Sequence, residues 1–277
     1  MKRLTYMTLA ALMLAMTCLT GCGSADPAPA NGLNGVVNTN GSTSMEKVVL
    51  ILSEAFREQN PGVDVKYNGS GSGAGVTSVL DGTADLGLAS RELKAEEQSK
   101  GAVAHVAALD GVAVVVHPEN PVADLTVEQI AAIFTGEVTN WSELGGADET
   151  IAVYGREAGS GTRGAFEEIV GVEDVCAYLN EYSSTGDVVG NVAANPGAIG
   201  YASLSAVGDT VKAVKVGGVD CTEETIQNGS YAIQRPFILI TKEGEPLSEA
   251  AQAFLDFALS EGAADLITQA GAVPPAK

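Results

Sequence analysis

The sequence predicts an α/β protein, on three observations. Short apolar strands alternate with segments whose apolar residues recur at helical spacing. One run, Gly111-Val112-Ala113-Val114-Val115-Val116, is apolar almost without interruption, as a central strand buried on both faces requires. Several strand ends lead through Gly and Ser or Thr into a helix, the unit that places ligands at the carboxyl ends of strands in open α/β sheets.

Taken in order, Val36-Val37 reads as a strand end and Asn40-Gly41-Ser42-Thr43-Ser44 as a turn and cap. Met45, Val48, Val49, Leu52, Ala55 and Phe56 then recur at helical spacing, and Asn60-Pro61-Gly62 stops that helix. Val63 to Tyr67 alternates like a strand. The Gly/Ser turn 68–75 follows, then a short helix carrying Val76, Val79 and Leu80, ended by Asp81-Gly82. Ala84 to Ser90 is a strand and turn, and the apolar run 111–116 is broken by His117-Pro118. Thr126 to Phe134 is a helix with Val127, Ile130, Ala131 and Phe134 on one face. Ile151 to Tyr154, Ala198 to Tyr201 and Phe237 to Ile240 read as strands. A last helix carries Ala251, Phe254, Leu255, Ala258 and Leu259.

At 277 residues, the chain can form one large domain or two medium ones with real cores. Its net charge of −20 argues against nucleic acid as a partner, because phosphate backbones need a basic footprint. That charge does not exclude a small anion. A buried site is governed by local donors, and distant charge is screened within about 10 Å at ordinary salt.

The N-terminus reads as a targeting segment. Lys2 and Arg3 form a charged region, Leu9 to Leu19 an apolar one, and Leu19-Thr20-Gly21-Cys22 resembles a bacterial lipobox in which Cys22 is lipidated. Residues 1–21 are then a lipoprotein signal peptide. Residues 22–34, without apolar periodicity, are a tether. Cys18 leaves with the signal. Cys176 and Cys221 remain, either as a disulfide of an exported protein or as two buried thiols. No metal-ligand spacing such as C-x-x-C is present.

Three segments share one design, Gly41-Ser42-Thr43-Ser44, Gly69-Ser70-Gly71-Ser72-Gly73 and Gly159-Ser160-Gly161-Thr162. In each, cap hydroxyls and free backbone N–H groups at a helix start can converge on an anion. One such turn alone is ordinary capping; three together, one with Arg156 four residues before its Ser160, describe a seat for a tetrahedral oxyanion. Enzyme signatures are weak. No Ser has Gly at both −2 and +2, as a hydrolase nucleophile elbow needs. Gly71-x-Gly73 is followed by Val76 where a dinucleotide fingerprint needs its third Gly, and there is no Walker A lysine. His105 in its Ala/Val-rich stretch reads as packed, and His117 before a proline as structural.

These residues resemble the phosphate-binding proteins of ABC-type phosphate uptake systems. The resemblance is carried by the lipobox, Gly-Ser-Thr-Ser, the Gly/Ser turn, Ala89-Ser90-Arg91-Glu92-Leu93 and Arg156-x-x-x-Ser160-Gly161-Thr162. Leu125 to Gly136 with Trp141, and Asn195-Pro196-Gly197-Ala198-Ile199-Gly200-Tyr201, agree. It implies a two-lobed periplasmic-binding-protein fold of type II, with two crossover strands near Val116-His117 and Arg235-Pro236. Lobe 1 is then 35–116 plus 237–277 and lobe 2 is 117–236. It also implies that Thr43, Ser44 and Ser72 contact phosphate from lobe 1, and Arg156, Ser160, Gly161 and Thr162 from lobe 2.

Family members carry an Asp after Ala-Ser that accepts the phosphate proton. Here that position is Arg91, which either adds positive charge to the site or pairs with an acid such as Glu92 or Glu157. The resemblance further implies a monomer on the extracytoplasmic face of the cell membrane, with no cofactor. Its partners are inorganic phosphate, ABC permease subunits and, through the lipid, the membrane. Sulfate, molybdate or tungstate are the alternative ligands, and an exported phosphoester hydrolase the alternative activity. Arg163, just past Ser-Gly-Thr, either reaches the ligand or, as expected of a partly exposed Arg, pairs with an acid such as Glu157 or Glu167.

Overall fold

The strand–turn–helix units read from the sequence form, with capped helices, in a computed structural model that describes residues 32–275. The signal segment, Cys22 and the tether up to residue 31 lie outside the described residues. β1 (Gly35–Gly41), α1 (Glu46–Gln59), β2 (Val63–Gly69), α2 (Ser72–Leu80) and β3 (Leu86–Ala89) open the chain. α3 (Ala95–Ser99) leads into β4 (Ala102–Val116), followed by β5 (Asp124–Leu125) and α4 (Val127–Phe134). Thr126 caps α4 and, with Gln129, makes a reciprocal capping box. β6 (Ala152–Arg156), α5 (Gly161–Val170), β7 (Asn180–Tyr182), α6 (Thr185–Ala194) and β8 (Ala198–Ser203) come next. β9 (Lys212–Ala213), β10 (Lys215–Val216), α7 (Glu223–Gln227), β11 (Gln234–Lys242), α8 (Glu249–Ala258) and α9 (Ala264–Gln269) complete it. Among the described residues no helix is long and apolar enough to cross a membrane.

The main sheet runs β2-β1-β3-β11-β4-β8-β6-β7, with β9 beside the end of β4. β1 is parallel to β2 and β3, and β6 is parallel to β7 and β8. β4 and β11 run antiparallel to their neighbours and join these two parallel halves. Residues 102–111 of β4 pair with β11, and residues 112–116 pair with β8. Each half has its own core. Val37, Leu52, Phe56, Leu88, Ala108, Phe237 and Phe254 belong to one; Val112–Val116, Phe134, Trp141, Phe166, Tyr201 and Ile233 belong to the other.

This is the two-lobed arrangement that the resemblance implies. On β11 the change of core falls between Ile233 and Phe237, at Arg235-Pro236. On β4 it falls between Ala108, in the first core, and Leu109, packed against the second, ahead of the valine run. The reason is physical: the run is apolar because it is already inside the second core, fully buried on both faces. Nothing in the local composition marks the passage, because the strand continues through Asp110 and Gly111 without a turn.

Candidate functional site

Four helix starts meet where the two halves of the sheet face each other. After β1, Ser42 caps a 3-10 turn at Thr43–Met45, its Oγ accepting the Ser44 N–H at 3.3 Å. Gly41 precedes it with φ 142°, and a Cβ there would collide with the Leu88 backbone. After β2, Gly71 at φ 91° starts α2, whose first residue is the fully buried Ser72. After β6, Ser160 caps α5 by accepting the Arg163 N–H at 3.3 Å. After β7, Ser184 caps α6 by accepting the Asp187 N–H at 3.0 Å, and Thr185 is the first residue of that helix.

Side chains from the two lobes touch directly. Ser44 Oγ lies 2.7 Å from Thr162 Oγ1 and 3.1 Å from Thr185 Oγ1, and Thr43 Oγ1 is 3.4 Å from Thr185 Oγ1. The Gly73 N–H donates to the Gly159 carbonyl at 3.0 Å. A Cβ on Gly161 would stand 2.8 Å from both Ser72 Cβ and Ser90 Oγ, and closer still to Ser72 Oγ. Glycine is therefore the residue that lets α5 approach α2. Hydroxyls and helix N-terminal N–H groups thus converge in a buried cluster of donors, the chemistry that receives an anion.

Arg156, at the end of β6, is 2% exposed and reaches the same cluster. Its Nε donates to the Tyr182 carbonyl at 3.1 Å, and its two terminal nitrogens donate to Thr185 Oγ1 at 2.9 Å and the Ser183 carbonyl at 2.7 Å. Burial pulls this guanidinium below its ordinary pKa, and the charge of Arg235 adds to that pull. Four arginines surround the cleft, and three have a carboxylate. Arg235 pairs with Asp110, Arg163 with Glu167 and Glu181, and Arg91 with Glu97. Arg156 forms no ion pair with a described residue. A buried cation without a counter-charge is costly, several kcal/mol in real proteins, and an anion between the lobes removes that cost.

Of the residues singled out in the sequence, Thr43, Ser44, Ser72, Arg156, Gly161 and Thr162 come together here, and Ser160 caps the helix beside them. Arg91 stands apart. Both terminal nitrogens of its guanidinium meet Glu97 at 2.8 and 2.7 Å, and one also donates to the Glu92 carbonyl at 2.8 Å. The acid it meets is thus Glu97, three residues into a short helix, and neither the Glu92 nor the Glu157 carboxylate. Its stem lies near Gly164 of the facing lobe, at the rim of the cleft. Arg163 pairs with Glu167 and Glu181, both at 2.8 Å, and lies over the Tyr178 ring.

His105 faces Thr241, its Nε2 2.9 Å from the threonine hydroxyl, and burial lowers its pKa. The His117 Nδ1 accepts the Glu119 N–H in its turn. Cys176 and Cys221 are free thiols. Sequence reasoning gave no site role to Thr185, Ser90, Arg235 and Asp110; Ser42 is the cap hydroxyl of the first of the three turns it singled out. Only Thr185 had a local signal: Ser183-Ser184-Thr185-Gly186 is a fourth hydroxyl-rich turn at a helix start.

A two-lobed substrate-binding receptor is the class that this fold and donor cluster define. Comparison with known proteins agrees. A family described as a PBP superfamily domain matches residues 26–262. The phosphate-binding protein PstS of Bacillus subtilis is 33% identical over 249 residues, 87% of this chain and 81% of its own. An ABC-type phosphate transport receptor from Vibrio cholerae superposes with TM-score 0.72 at 35% identity, over 86% of this chain and 100% of its own. A phosphate ABC transporter substrate-binding protein from Clostridium perfringens, solved with bound phosphate, has TM-score 0.85 at 42% identity, over 87% of this chain and 100% of its own. The chain belongs to the PBP superfamily and, within it, to the PstS-like substrate-binding proteins.

Proposed function

We propose that this chain binds inorganic phosphate between its lobes and delivers it to the permease of an ABC-type uptake system. The observation that carries the reading is Arg156, buried among hydroxyls and helix N-termini with no carboxylate ion-paired to it among the described residues. Thr43, Ser44 and Ser72 face the ligand from lobe 1; Arg156, Gly161 and Thr162 face it from lobe 2, with Ser160 and Thr185 supporting them. The lobes divide at Ala108–Leu109 and at Arg235–Pro236, where the core changes. Arg91, paired to Glu97, guards the rim. The lipobox supports a mature chain held on the extracytoplasmic face of the membrane through lipid on Cys22. The family is one of transport receptors, and no catalytic step is assigned to the cleft.

One observation favours a second ligand. No carboxylate hydrogen-bonds to the hydroxyls of the cluster, Ser42, Thr43, Ser44, Ser72, Ser90, Thr162 and Thr185, among the described residues. A hydroxyl discriminates less sharply than a carboxylate between phosphate, which keeps a proton near neutral pH, and sulfate, which does not. Calorimetric titration of the mature chain with phosphate, sulfate, molybdate and tungstate tests both readings. Phosphate is expected to bind at micromolar concentration or below and to exceed the others. Binding of sulfate alone supports the second ligand, and no heat with any of the four removes both. Arg156→Gln should weaken phosphate binding about hundredfold, the worth of a buried charge-assisted pair.

A further inference from the structure

A buried ion pair at the crossover is linked to the cleft by hydrogen bonds. Asp110 on β4 and Arg235 on β11 are 1% and 3% exposed. Arg235 donates from Nε and one terminal nitrogen to Asp110 Oδ2 at 2.9 and 2.8 Å, while Asp110 Oδ1 accepts the Ser203 hydroxyl at 2.7 Å. The other terminal nitrogen of Arg235 donates to the Ser90 carbonyl at 3.1 Å and to Ser90 Oγ at 3.2 Å. Ser90 Oγ also accepts the Ser42 hydroxyl at 2.8 Å.

Proton counting then fixes a direction. A serine oxygen has two acceptor positions and one proton. Arg235 and Ser42 fill both acceptor positions of Ser90 Oγ. Its own proton is left for Ser72 Oγ, 3.4 Å away. Ser72 Oγ already accepts the Ser90 N–H at 3.1 Å. With both of its acceptor positions occupied, Ser72 can only donate, at the first residue of α2 and against Gly161 of the facing lobe.

We propose that Arg235, held by Asp110, is a positioning residue for the cleft: it saturates Ser90, and Ser90 in turn commits the Ser72 hydroxyl to donate to the bound oxyanion. The charge of Arg235 is matched by Asp110, so its role is orientation rather than attraction. A lysine cannot reproduce it, because one ammonium cannot span Asp110 and Ser90 as a planar fork does. The role rests on the reading of the cleft as an oxyanion site.

A double-mutant cycle in the mature chain tests it, with inorganic phosphate titrated by calorimetry and thermal unfolding as the control for folding. Arg235→Lys and Ser90→Ala should each weaken binding about tenfold, as loss of one buried hydrogen bond does. Because Arg235 acts through Ser90, the double variant should also lose about tenfold and not hundredfold. A purely structural role of Arg235 makes the losses multiply. Multiplying losses, or Arg235→Lys within twofold of wild type, overturn the positioning role and leave the phosphate reading intact. Absence of phosphate binding by the wild-type chain overturns both. If Arg235→Lys does not fold, Asp110→Asn, which keeps the side-chain shape and loosens Arg235, takes its place in the cycle with the same expected pattern.

Discussion

Adding one methyl group at Gly161 separates lobe closure from the stability of either lobe. Gly161 is the first residue of α5, and its φ is not in the positive region, so alanine fits the backbone. In a helix, alanine is favoured over glycine by about 0.5–1 kcal/mol. The new Cβ, however, would stand 2.8 Å from Ser72 Cβ across the cleft. Two carbons in contact sit about 3.5–4.0 Å apart, so the lobes must separate locally by about 1 Å. The hydrogen bond between Ser44 and Thr162, now 2.7 Å, would then lie beyond hydrogen-bond range. Arg156 and the hydroxyls could no longer meet one small oxyanion together. Losing two such hydrogen bonds, one of them charge-assisted, amounts to about 3 kcal/mol or roughly a hundredfold in affinity. Calorimetry with phosphate reads the affinity, and thermal unfolding of the ligand-free protein reads stability. The expected signs are opposite, with binding lost and the unfolding temperature unchanged or raised. Gly161→Ala that binds phosphate within threefold of wild type refutes the closed-cleft geometry.

Arg163, seven residues from Arg156, should behave in the reverse way. Arg163→Gln leaves the nearly buried Glu167 without its cation, so the unfolding temperature should fall by several degrees while phosphate affinity stays within about threefold. Glu97 carries a pH signature. Burial raises its pKa, but the hydrogen bonds from Arg91 and the Lys94 N–H outweigh this and hold it below the ordinary value. A depressed carboxyl pKa stabilises fully above the unfolded value and loses that stabilisation as pH falls through the folded one. The difference in unfolding temperature between wild type and Glu97→Gln should therefore be full at pH 7 and shrink below about pH 4. Burial pushes the Cys176 thiol up to about 11 and the Cys221 thiol up to about 12. In a chain starting at residue 32, a thiol reagent at pH 8 should react slowly with both in the native state and rapidly after denaturation. A fast thiol in the native state, or none after denaturation, contradicts two free cysteines, Cys176 half-buried and Cys221 buried.

Half of the cleft could be read from the sequence because it is written locally. Arg156, Ser160, Gly161 and Thr162 fall within seven residues, and the geometry of a strand end followed by a helix start relates them without any tertiary information. The same holds for Thr43, Ser44 and Ser72, each beside its own turn. What was not legible depends on which segments meet. Ser184 looks like, and is, an ordinary N-cap, accepting from Asp187. Thr185 matters only because α6 lies beside β6, so that Arg156 reaches it. Asp110 and Arg235 are 125 residues apart, and the pair exists only because β4 and β11 are antiparallel neighbours in this register. Arg91 was the reverse case. Its neighbours in sequence suggested Glu92, but the turn into α3 brings Glu97 round to it, with the Glu97 carboxylate also accepting the Lys94 N–H.

The acidity of the chain and the anion chemistry of the cleft are reconciled by where the charges lie. Most of the acid is on the outside, and at physiological salt its field fades within about 8 Å. The cleft is set by the few groups that closure removes from water. Of the arginines around it, Arg156 alone forms no ion pair among the described residues; Glu157 and Asp187 act on its charge only from beyond ion-pair distance. On the proposed reading this imbalance makes closure depend on the ligand. With the lobes apart, water solvates the guanidinium. With the lobes together and no anion, the same charge is desolvated with neutral hydrogen-bond acceptors and no carboxylate at ion-pair distance among the described residues, which costs several kcal/mol. An oxyanion offsets that cost, and the hydroxyls that meet across the cleft, Ser44 with Thr162 and Thr185, gain an acceptor they share. If Arg156 had been paired as Arg235 is, its charge would be satisfied in both states, and the lobes could close empty. The absence of an ion-pair partner for Arg156 among the described residues is thus what couples binding to closure. Arg156→Gln should accordingly close more readily without phosphate as well as bind it more weakly. Small-angle scattering on the ligand-free variant checks this, and a radius of gyration no smaller than that of ligand-free wild type refutes it.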